Sequence, residues 1–233
     1  MRRYILLLLP FLSFLIFSCS GNITDRDRTG LKGKVKSFKE IRCDPTYVDD
    51  QWVAGEPLTN DYRMVYFDKN GNFIESYSIG TMGDTVGKSV CKRENGKLVE
   101  EVFYTRFWLT PKESRMYPTS RTVLDQVADD QINYEVWKGD ERLNEGANYY
   151  DDQGHLIRQV QVVNEKEINT YYNYKKNLLI ETYQEDMNGQ RTATRLYDYG
   201  KIDKHGNWTT QFIYDDEDKI VPTVALNREL DYY

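Results

Sequence analysis

A chain of 233 residues with 37 acidic and 31 basic side chains carries a formal charge of −6, and it is only 39% hydrophobic. Such an acidic chain with no basic cluster repels phosphates, which sets nucleic-acid binding aside. Its 19 tyrosines suit half-wet sheets, because each ring offers a flat apolar body and a hydroxyl that stays in water.

The chain opens on Arg2-Arg3, then an apolar run, Tyr4–Phe17, broken by Pro10 and Ser13, then Ser18-Cys19. A charged start, a short apolar core and a small residue at the cut read as a secretory signal over 1–18. The run falls short of the ~20 apolar residues that span a bilayer. Removing Arg2 and Arg3 with the signal moves the charge from −6 to −8. The setting of Cys19 resembles a bacterial lipobox, in which the cysteine becomes the lipid-bearing N-terminus. That resemblance implies palmitate-type acylation at Cys19, membrane attachment through the lipid and, with Ser20 next, the outer membrane of a Gram-negative cell. Each buried CH₂ contributes ~0.8 kcal/mol, so several acyl chains hold firmly. Residues 19–30, polar and turn-rich beyond the cysteine, read as a flexible tether.

A single β-domain is expected over 31–233. Leu31–Ile41 alternates, with Val35 and Ile41 among Lys and Glu, and reads as an edge strand whose lysines discourage foreign pairing. Pro45 and Gly55-Glu56-Pro57 bracket a strand or loop around Trp52. A turn unit then recurs: Phe67–Phe73 around Gly71, Lys92–Leu98 around Gly96, Tyr150–Leu156 around Gly154, Tyr174–Leu179 around Asn177, and Ile202–Trp208 around Gly206. A weaker version is Trp137-Lys138-Gly139. Glycine, or the asparagine at 177, supplies the positive φ that a tight hairpin requires. Spacings of 25 residues from Gly71 to Gly96, 23 from Gly154 to Asn177 and 29 from there to Gly206 fit two strands and two turns per repeat. Thr119–Asp130 reads as either a short helix or another strand. The expected fold is all-β: an antiparallel meander of repeated hairpins forming an elongated, twisted or curled sheet, with at most one short helix.

Tyr150–Leu156, YDDQGHL, resembles the YD repeat of Rhs-type proteins. The opening LKGKVKSFKE and the stretch from Asp203 to Tyr233 are similar to Bacteroidetes lipoproteins carrying such units. The resemblance implies a repeat β-domain over most of 31–233. It also admits an immunity or antitoxin-like partner role, since Rhs-type repeats travel with toxins.

Little in the chain points to catalysis. His155 and His205 each flank a turn glycine and read as turn residues on exposed hairpin tips, where a general base is neither held nor shielded. No Gly-x-Ser-x-Gly elbow and no phosphate-binding glycine motif occurs. Asp215-Asp216-Glu217-Asp218 and Asp151-Asp152 lack the alternate spacing by which calcium ligands converge, and read as solvated turns. Neither metal nor cofactor is expected. Cys43 and Cys91 remain after Cys19, and in an oxidising envelope a disulfide between them stays open. Trp108 and Trp137 are the candidate surface aromatics. The leading expectation is a non-catalytic envelope lipoprotein whose Tyr-rich sheet contacts an envelope protein or forms a structural surface; the alternative is a glycan-binding module.

Overall fold

The computed structural model describes residues 24–110, 113–186, 188–215, 218 and 220–233. The signal segment and Cys19 lie outside the described residues. A four-residue helix, α1 (Asp25–Arg28), precedes an uninterrupted meander. Its first half is β1 (Val35–Val48), β2 (Gln51–Phe67), β3 (Phe73–Ile79), β4 (Thr85–Glu94), β5 (Lys97–Thr110), β6 (Glu113–Ala128) and β7 (Gln131–Lys138). The second half is β8 (Glu141–Tyr150), β9 (Leu156–Val163), β10 (Lys166–Lys175), β11 (Leu178–Glu185), β12 (Arg191–Ile202), β13 (Trp208–Tyr214) and β14 (Val224–Tyr232). Every strand pairs antiparallel with its chain neighbours, and β1 also pairs with β14, so the fourteen strands close into a barrel.

Closure corrects two expectations. The elongated sheet is instead a barrel, and the segment read as an edge strand, Leu31–Ile41, lies largely in β1, paired with β2 and β14. A barrel has no edges to protect. The likeness to Rhs-type repeats fails with it: the Tyr150 unit is one hairpin turn among others in a single closed meander. Thr119–Ala128 is strand, within β6.

Alternation sets what faces in. Phe38, Val65, Leu124, Ile132, Tyr134 and Val136 point inward and join Val35, Phe67, Phe73, Leu98, Tyr150 and Leu31 in a buried cluster at one end of the lumen. Burial contributes about 1.5–3 kcal/mol for each large apolar side chain, so this end is a packed core. Three glycines let aromatic rings lie flat on the sheet: a Cβ on Gly87, Gly146 or Gly200 would meet Phe103, Tyr134 or Phe212 at 2.9, 2.6 and 3.0 Å. Such pairs bend a sheet towards closure.

The outward face mixes ion pairs with exposed apolar side chains such as Val90, Val127 and Leu143. Lys88 pairs with Glu75 at 2.9 Å, Lys39 with Glu229 at 3.5 Å, Arg142 with Glu145 at 2.6 Å and Arg191 with Glu181 at 3.3 Å. Cations also sit over outward rings, Lys39 over Tyr62, Lys88 over Tyr77, Arg158 over Tyr149 and Arg191 over Tyr183. Two hairpins outrun their neighbours: β1 leaves β14 after Cys43 and β5 leaves β4 after Thr105. Beyond those points β1 pairs only with β2, and β5 only with β6.

Candidate binding site

The five repeat turns stand on one rim. Each repeat spans two strands, so equivalent turns return to the same end of the barrel. Gly71, Gly96, Gly154 and Gly206 have φ of 87°, 80°, 86° and 88°, and Asn177 takes 65°. The weaker unit at Gly139 falls on the opposite rim, between β7 and β8.

Sequence reasoning stressed the glycine and missed the aspartate three residues before it. Asp68 Oδ1 accepts from the amides of Asn70 and Asn72 at 2.8 and 2.9 Å. Asp151 does the same for Gln153 and His155, and Asp203 for His205 and Asn207. Asp186 repeats it on the far rim for Asn188 and Gln190. Each carboxylate closes a five-residue turn whose amides would otherwise need water. The signal was present as Asp-x-x-Gly.

The segment 24–34 crosses this rim as a strap. Thr24, read as part of the tether, caps α1 in a capping box with Asp27. Asp25 has 3% of its side chain exposed; its carboxylate accepts from the Phe73 amide at 2.8 Å and from the Arg93 guanidinium. Burial raises its pKa to about 6, against the opposing pull of Arg93. The Arg26 amide donates to the Gly71 carbonyl at 2.9 Å. Arg28 lies over the Tyr150 ring at 4.3 Å. Leu31 is buried in the apolar cluster. Asn207 then grips the Lys32 backbone twice, accepting from its amide at 2.6 Å and donating to its carbonyl at 2.9 Å.

Under the strap lies a cavity of about 200 Å³, bounded by Arg28, Thr29 and Gly30 on one side and by the wall from His155 to Arg228 on the other. Its aromatic residues are Tyr174, Tyr197, Tyr199 and Trp208. Their hydroxyls are largely engaged: Tyr174 donates to the Leu156 carbonyl, Tyr199 to the Leu179 carbonyl, and Tyr197 meets Thr182. Gln211 donates to the Tyr199 hydroxyl at 3.0 Å. Arg228 is held between the Trp208 and Phe38 rings at 3.6 and 4.6 Å, with Glu40 at 2.8 Å. Arg63 and Glu101 continue this charged belt, and burial holds the Glu101 carboxyl above its ordinary range.

The remaining candidates scatter. Trp108 is 58% exposed near the tip of the β5–β6 hairpin, on strand. Trp137 is half-buried on the outer wall, donating to Glu135 and lying under Arg121. Cys43 and Cys91 are both free thiols; Cys43 belongs to a small cluster with Phe212 and Ala225, Cys91 packs against the main cluster. Burial pushes both thiols up, which keeps them unreactive. His155 is not an exposed tip: it is 7% exposed, 2.9 Å from the Asp151 carboxylate and stacked on Tyr174. His205 is exposed, and its ring lies 4.3 Å from that of Tyr232. Asp215 of the acidic run pairs with Arg195 at 2.8 Å. Among the described residues, no group of three or more His, Cys, Asp or Glu side chains is placed to hold a metal ion.

No family model matches the chain, and no curated protein is similar to it. Solved structures are similar to it, two porin-like proteins among them. One is a porin-like protein from Bacteroides vulgatus, 14% identical, with a TM-score of 0.48, covering 85% of this chain and 98% of that one. The other is a porin-like protein from Bacteroides uniformis, 10% identical, with a TM-score of 0.43, covering 86% and 98%.

Proposed function

We propose that this chain is a non-catalytic lipoprotein of the cell envelope, held at the outer membrane by acyl chains on Cys19, with the barrel as a water-facing binding scaffold. The outward ion pairs carry this reading. A barrel wall in lipid presents an apolar band ~25 Å tall, and a Lys or Arg at its midplane costs about 2–4 kcal/mol. Lys39, Lys88, Arg121, Arg142 and Arg191 are instead spread over several parts of the outer wall, each beside a carboxylate. The apolar cluster filling the strap end of the lumen also opposes a through-pore. Five residues join Cys19 to Thr24, at most roughly 18 Å when extended, so the strap rim faces the anchor and the two long hairpins point away.

Two measurements test this. Labelling with radioactive palmitate is expected in the wild-type chain and absent in Cys19→Ala. The chain from residue 20 onward is expected to purify monodisperse without detergent and to leave planar bilayers non-conducting. A need for detergent, or steady conductance steps, would reject the scaffold reading.

A glycan-binding role is the second reading. The cavity beneath the strap favours it over the outer tryptophans, because rings and hydrogen-bonding groups converge there.

A further inference from the structure

We infer that the cavity beneath the strap is a site for one carboxylated sugar ring. This deepens the glycan reading and rests on the lumen being a binding space, not a pore.

Size comes first. About 200 Å³ lies below the ~300–1,000 Å³ of pockets that take drug-sized molecules, so the space suits a single ring. Charge comes next. The lining includes Arg28 and Arg228 and no carboxylate. Arg228 is neutralised by Glu40 at 2.8 Å. Arg28 has no carboxylate within ion-pair distance among the described residues, although Asp25 feels its charge; it hydrogen-bonds Tyr150, which also supplies a ring face, and its Nε and Nη1 are buried without a hydrogen-bond partner. A guanidinium beside the cavity with no carboxylate in direct contact favours an anion, and a carboxylate matches its planar fork.

The rest of the lining selects among small anions. Thr29, His155, Asn177 and Gln211 bring donors and acceptors to the same space as Tyr197 and Trp208. An aromatic acid would fill the ring-lined part and leave those polar groups unpaired where it displaces their water, which is costly. A sugar offers hydroxyls to them and C–H faces to the rings. Because Arg28, Thr29 and Gly30 form one wall, the ligand touches both strap and barrel.

The experiment titrates the mature lipoprotein with glucuronate, using glucose and benzoate as comparison ligands. Heat of binding and tryptophan emission are both read. Glucuronate is expected to bind with a Kd below ~1 mM, and glucose at least ~10-fold more weakly. Arg28→Gln is expected to bring the two sugars within ~3-fold of each other. Trp208→Phe is expected to keep the heat and lose the emission change, which places the ligand beside that ring. The inference is overturned by the absence of heat up to ~10 mM glucuronate, or by glucose or benzoate binding as well as glucuronate. It is equally overturned by an unchanged preference in Arg28→Gln, or by an emission change that survives Trp208→Phe. Conductance tests the scaffold reading separately, so the two failures are distinguishable.

Discussion

Arg93 and Asp25 meet across 68 residues of sequence, one on the barrel wall and the other on the strap. The pair ties the N-terminal segment to the rim where the repeat turns stand. Without it, the strap would rest on Leu31, the Asn207 clasp and the Arg28–Tyr150 stack.

Removing Arg93 leaves the Asp25 carboxylate buried with the Phe73 amide and the more distant charge of Arg28. Breaking such a pair from one side costs about 3–5 kcal/mol, and Arg93 is partly exposed, so the lower end is expected for Arg93→Ala at pH 7.5. The loss depends on pH. Burial already raises the Asp25 pKa from 3.8 to about 6, so between those values the folded chain keeps a proton that the unfolded chain has released. Stability from this group is therefore fully present below pH 4 and is lost as pH rises through 6. Urea midpoints of wild type and Arg93→Ala should converge at pH 4.5 and separate at pH 7.5. Parallel curves across that range would refute the account.

Turn carboxylates make a second case. Asp68→Ala, Asp151→Ala and Asp203→Ala each strip two backbone amides of their acceptor. A loss of about 1–2 kcal/mol is expected for each, since a hydrogen bond to a charged group is worth about 1.5–3 kcal/mol and water replaces part of it. Asn at these positions keeps an acceptor and should recover most of the stability. Gly154→Ala strains a φ of 86° and should cost about 1–2 kcal/mol. Thermal melts with added urea give the ranking; an Asp203→Ala chain as stable as wild type would remove the turn argument there.

How far the sequence could be read follows from range. Gly71, Gly96, Gly154, Asn177 and Gly206 were legible because a tight reversal is a local demand on φ, satisfied within a few residues. The two-strand period was legible from their spacing, and with it the meander. Closure was not: the pairing of Phe38 with Leu230 leaves no mark near either residue. The strap was hidden for the same reason. Asp25 and Arg28 sit in a polar stretch that reads as tether, and only the positions of Arg93 and Tyr150 in space bury the one and cover the other. The cavity draws Arg28, His155, Tyr174, Tyr197, Trp208 and Arg228 from separate elements, so no spacing announces it. His155 was misread as an exposed tip because its neighbour on the rim, Tyr174, comes from the next turn.

Trp108 and Phe67 offer a contrast between exposed and buried rings. Trp108→Ala removes a large side chain that is 58% exposed on the projecting hairpin, and a change within about 0.5 kcal/mol is expected. Phe67→Ala opens the packed end of the lumen between Phe38 and Phe73, with an expected cost of about 3–5 kcal/mol. Equal losses in chemical denaturation would mean that the hairpin packs on something else.

Gly146 tests the closure itself. Its place on β8 is covered by the Tyr134 ring, whose hydroxyl donates to the Val160 carbonyl at 3.2 Å, so ring and neighbouring strand leave no room for a side chain. A Cβ there would sit 2.6 Å from the Tyr134 hydroxyl and closer still to the Val160 carbonyl. The carbonyl belongs to the backbone of β9 and cannot turn aside, so β8 and β9 must shift. Overpacking of this kind costs about 1–3 kcal/mol, and Gly146→Ala is expected at the upper end. Tyr134→Leu in the same chain frees the hydroxyl's space but not the carbonyl's, so it should recover only part of the loss. Full recovery would assign the strain to the ring and not to the approach of the two strands, and the curvature argument at this position would fail.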